Sequence, residues 1–86
     1  MIIGIVTQLT GETFLHTKTA IQDLNRGDEF CSDLSINGVE DNSRILTLTA
    51  DFEDREAAEN FRNKVEEIPT VAAAEITEAS NLKSWE

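Results

Sequence analysis

The sequence predicts an α+β domain, a four-stranded antiparallel sheet with two helices on one face, in the order β-α-β-β-α-β. Three observations carry this. Residues 44–52 alternate, with Leu46, Leu48, Ala50 and Phe52 on one face and Thr47, Thr49 and Asp51 on the other, the period of a half-buried strand. Residues 53–67 switch to helical spacing at Ala58, Phe61, Val65 and Ile68. Pro69 then stops the helix, and residues 71–77 return as a strand of alanine and β-branched residues.

The remaining elements follow in order. Residues 2–9 form a near-continuous apolar run, as in a central strand. Phe14, Thr17, Ile21 and Leu24 sit at helical spacing, and Gly27 stands where a helix C-cap glycine belongs. Four threonines within residues 10–19 oppose that helix, and residues 9–14 also read as a tight turn into a second strand. Residues 29–36 are strand-like, with Phe30, Leu34 and Ile36 on one face. Asn37-Gly38 and Asp41-Asn42-Ser43 supply turn chemistry for a hairpin into the strand that starts at Arg44. Right-handed crossovers then put the first and third strands in the middle and the hairpin and final strands at the edges. The domain spans residues 1–79, and residues 80–86 form a C-terminal tail in which Leu82 and Trp85 could dock.

Eighty-six residues make one domain with one core, small enough for a homodimer to supplement its stability. The single Cys cannot form an internal disulfide, which fits a cytoplasmic protein. The apolar run at residues 2–6 is too short to span a membrane and lacks the basic flank of a signal peptide. Seventeen acidic against seven basic residues give a net charge of −10. Such a surface repels phosphates and anionic lipid, which excludes direct nucleic-acid or membrane binding and favours a basic protein partner.

The segment Glu67-Ile-Pro-Thr-Val71 and the strand leading to Ile76 resemble the closing segment of ACT-type regulatory domains. They are similar also to NapD-type chaperones, which share the ferredoxin-like fold. The resemblance covers the second half well and the first half by element order. It implies a regulatory domain that holds a small ligand beside the turn after the first strand, near Gly11, or a chaperone that binds a twin-arginine signal peptide.

Enzyme chemistry finds little support. His16 has no nucleophile or carboxylate at a motif spacing. Cys31 has acids rather than bases as neighbours, and Asp28, Glu29 and Asp33 would raise its pKa. Residues 37–42 are rich in oxygen ligands but lack EF-hand spacing. Zinc pairs and phosphate-binding glycine motifs are absent, so no metal or cofactor is expected. The sheet face turned from the helices is expected to carry Cys31, Asp33, Ser35, Thr47, Thr49, Asp51, Glu75 and Thr77. It has neither the aromatics nor the basic rim of an RNA-recognition sheet. Arg55, Glu59, Arg62 and Glu66 form a stripe of alternating sign on the second helix, read as a solvated face.

These observations favour a non-enzymatic module that presses an acidic surface on a basic or nucleic-acid-binding partner. In its sharpest form the surface imitates nucleic-acid charge and inhibits that partner. The candidate partner-binding residues are Asp28, Glu29, Asp33, Glu40 and Asp41, five acids between Gly27 and Ser43 without an intervening base until Arg44. The alternative is an ACT- or NapD-like domain that takes a small ligand, or a peptide along a sheet edge.

Overall fold

The computed structural model describes residues 1–39 and 42–78. The strands are β1 (Ile2–Leu9), β2 (Ser32–Val39), β3 (Asn42–Asp51) and β4 (Val71–Glu78), and the helices are α1 (Phe14–Leu24) and α2 (Arg55–Glu66). The sheet is antiparallel throughout in the order β2-β3-β1-β4, so β1 and β3 are central and β2 and β4 are edges. This is the ferredoxin-like α+β arrangement.

The register explains which residues are inside. Ile3, Ile5 and Thr7 pair with Ala50, Leu48 and Leu46 on β3, and this set faces the helices. Ala58, Phe61 and Val65 of α2 pack on it, with the Phe61 ring centroid 5.4 Å from Phe30 and 5.9 Å from Phe52. α2 begins on Asp54, whose carboxylate accepts the Ala57 N–H at 2.8 Å. The expected stripe on its outer side forms two ion pairs, Arg55–Glu59 and Arg62–Glu66.

The threonine-rich segment is helical, because tertiary burial outweighs propensity. Thr17 and Ile21 of α1 are fully buried, and the Thr17 hydroxyl lies 2.6 Å from that of Thr70 in the turn before β4. The helix ends at Asn25 rather than at Gly27, which follows in a 3₁₀ turn, Arg26–Asp28, with φ of 71°.

Two expectations about β2 are corrected. The strand runs from Ser32 to Val39 rather than from 29 to 36, and Phe30 precedes it. Cys31 is buried in the helix-facing core, not on the open face. The cause is local: Asp33 has φ of 54° and the β2–β3 register shifts between Ser32 and Ser35, so simple alternation fails across that bulge. The open face also departs from a uniformly wetted one. Val6 and its register partner Thr47 are 6% and 2% exposed.

The expected tail, with Leu82 and Trp85, lies outside the described residues, as do Glu40 and Asp41. Among the described residues no helix is long and apolar enough to cross a membrane.

Candidate functional site

The loop that carries Asp28 and Glu29 is placed by one side chain, Asn25. It sits buried at the end of α1 and accepts the backbone N–H groups of Phe30 (2.9 Å) and Cys31 (3.1 Å) on Oδ1. Its Nδ2 donates to the Cys31 carbonyl at 3.1 Å. These bonds pin residues 26–31 into a loop whose two left-handed residues are Gly27 and Asp28, at φ of 71° and 55°. Asp28 and Glu29 stand exposed on that loop, and Asp33 stands exposed on the bulge that follows.

The candidate acids therefore divide. Asp28, Glu29 and Asp33 gather around the start of β2. Val39 lies at the other end of that strand, about 23 Å away at ~3.3 Å per residue. Glu40 and Asp41 fall outside the described residues, and the Val39–Asn42 pair that flanks them belongs to this far end. Of the five candidates, Asp28, Glu29 and Asp33 are the described ones, and they share the start of β2.

Antiparallel pairing supplies other acids to the near end. Ser32 pairs with Asp51, the last residue of β3, so Asp51 stands at the same end of the sheet as the start of β2, and Glu53 and Asp54 follow it in the chain. The sequence signal was available, because every hairpin brings the start of one strand to the end of the next. Reading the charges as one linear run concealed it. Two cations at this end are already engaged: Arg26 pairs with Asp23 at 3.2 Å, and the Met1 amino group with Asp51 at 2.6 Å. Both pairs are exposed. The carboxylates spread over a surface rather than converging, and among the described residues no group of three or more His, Cys, Asp or Glu is placed to hold a metal ion.

The candidate nucleophile fares poorly. Burial, with Asp28 as a second cause, pushes the Cys31 thiol up to about 11, so it carries almost no thiolate near neutrality. His16 is exposed on α1.

A second concave feature lies where β1 begins and β4 ends. Met1, Ile2, Ile3, Arg55, Ile76 and Glu78 line an open groove of about 560 Å³. Met1 and Ile2 are two large apolar residues left 64% and 59% exposed.

No protein-family model matches the chain, and no curated protein matches it. Solved structures do resemble it. A structure described as an antibiotic biosynthesis monooxygenase has a TM-score of 0.61 at 11% identity, covering 92% of this chain and 98% of its own. The ACT domain from GTP pyrophosphokinase of Chlorobium tepidum has a TM-score of 0.57 at 12% identity, covering 90% and 97%. A protein of Pseudomonas aeruginosa has a TM-score of 0.61 at 14% identity, covering 88% of each chain. At such identities the likeness is one of fold. The chain shares the ferredoxin-like architecture with an ACT domain and with other small proteins, and function has to be argued from its own residues.

Proposed function

We propose that this chain is a non-catalytic protein-binding domain that engages a basic partner through the acidic end of its sheet. The observation that supports this most is the exposed acidic surface at the start of β2, where Asp28, Glu29 and Asp33 stand and where Ser32 pairs with Asp51 at the end of β3. A net charge of −10 supplies long-range attraction, and the concentrated end supplies orientation. Asn25 contributes by holding the loop in one shape, so the charged residues are presented with less ordering left to complete on binding. The sharper form of this reading is that the acidic end occupies a groove meant for nucleic-acid phosphates.

Affinity capture from the native host tests the reading, with wild type and an Asp28→Lys, Glu29→Lys variant compared at low and high salt. A basic protein enriched by wild type, lost from the variant and released as salt rises supports the proposal. Release of that protein by a short DNA duplex supports the phosphate-imitating form. The same retained proteins with both chains would refute a role for the acidic end.

A further inference from the structure

The two edges of the sheet differ in a way that assigns them different uses. On β2 the pairing shifts between Ser32 and Ser35 and again between Gly38 and Val39, and Asp33 is left-handed. Such breaks twist an edge and spoil it as a template for another strand. β4 has one shift, between Gln8 and Leu9 at its start, and beyond it pairs with β1 through six consecutive positions, from Ile3–Glu78 to Gln8–Ala73. Alternate residues of an antiparallel edge strand turn both N–H and C=O outward, and among the described residues no strand pairs with that side of β4. One described side chain, Arg62, reaches its backbone, at 3.5 Å from the Ala74 carbonyl, long enough for a strand to displace. Ala72, Ala73 and Ala74 leave the edge unobstructed by bulky groups.

Charge and shape select the occupant. β4 carries Glu75 and Glu78 and no basic residue, so a second copy of the chain paired there would bring like charges onto one ladder. A basic strand would offset them. The groove beside Glu78 exposes Met1 and Ile2 to an apolar side chain of the incoming segment.

We propose that the free edge of β4 takes up an extended, basic segment of a partner protein as a fifth strand, with one apolar residue seated on Met1 and Ile2. β4 is the edge opposite β2 and the Asp28 loop, and the groove at its end meets the acidic end only through the Met1 amino group paired with Asp51. The probe is the peptide Lys-Val-Lys-Val-Lys-Val-Lys, added to isotope-labelled protein and followed by NMR and amide exchange. Its control replaces each Val by Pro, keeping the charge and removing the N–H groups a strand needs. The valine peptide should bind about tenfold tighter than the control and slow exchange at alternate β4 amides. Glu75→Lys with Glu78→Lys should weaken it by about tenfold or more. Equal binding of the two peptides, perturbation confined to the Asp28 loop, or self-association through β4 would each overturn the proposal.

Discussion

The side chain of Asn25 and the backbone of Cys31 bond to each other twice, once in each direction. Oδ1 accepts the Cys31 N–H and Nδ2 donates to the Cys31 carbonyl, both at 3.1 Å and both buried. With the Phe30 N–H also on Oδ1, one amide closes a loop that has no regular structure of its own beyond a single 3₁₀ turn. It thereby sets the start of β2. Asn25→Ala leaves these buried groups unpaired and should cost about 2–3 kcal/mol. Asn25→Asp keeps the acceptor but loses the donor and buries a charge, so it should also be destabilised at pH 7. Urea denaturation of both variants measures this, and wild-type midpoints would mean that the loop holds itself.

The Thr7 hydroxyl is the reverse case. Thr7 is fully buried on the helix side of β1, between Leu46 and Ala74 in register, and its Oγ1 has no hydrogen-bond partner. Removing an unpaired buried hydroxyl while keeping the shape recovers its desolvation cost. Thr7→Val should therefore gain about 1 kcal/mol, a rise of roughly 4–8 °C in Tm. Thr7→Ser keeps the hydroxyl and deletes a buried methyl, so it should lose stability. A Thr7→Val variant that melts lower than wild type would show that the hydroxyl is satisfied in solution.

Cys31 makes a prediction about pH. Its thiol ionises near 9.0 when free of its surroundings and near 11 in the fold, so the folded state holds the proton over the interval between them. The unfolded chain binds fewer protons there, and stability must fall as pH rises through that window and be unaffected below it. The stability difference between wild type and Cys31→Ala, measured by urea denaturation at pH 8 and pH 10.5, should therefore shrink by about 1–2 kcal/mol. A difference that does not change with pH would mean that the thiol is not held protonated.

The sequence made the architecture readable and left the site half hidden, for physical reasons visible in particular residues. β3, α2 and β4 carry period and punctuation that agree with one another: the alternation at Leu46–Phe52, the Ala58-Phe61-Val65 spacing and the stop at Pro69. Strand order follows from them, because each crossover has few alternatives. The placement of Cys31 was not readable, since it depends on one left-handed Asp33; Asp is enriched in that conformation yet adopts it too rarely for a single one in a strand-like run to announce a bulge. The Asn25 bonds were equally silent, because an asparagine after a helix reads as a cap whatever its amide reaches. Gly27 was a true signal that falls two residues after the cap at Asn25, a left-handed position that belongs to the turn after the helix end.

Charge provides the last test, independent of any partner. The chain carries −10, and Asp28, Glu29 and Asp33 stand around the start of β2, whose Ser32 pairs with Asp51. Folding thus concentrates like charge that an expanded chain keeps apart, and self-repulsion lowers the stability of the compact state. At 0.01 M salt the screening length is about 30 Å, longer than β2, while at 1 M it is about 3 Å, shorter than the gap between most surface charges. Raising NaCl from 10 mM to 1 M should therefore increase Tm by several degrees. The Asp28→Lys, Glu29→Lys variant alters the net charge by four units and breaks up the concentrated end. Lys in place of the left-handed Asp28 adds backbone strain that offsets its starting Tm, so the test is the slope: the variant should gain less as salt rises. Parallel salt curves for the two proteins, offset or not, would show that the repulsion is spread evenly over the surface and that the Asp28 end concentrates nothing for a partner to recognise.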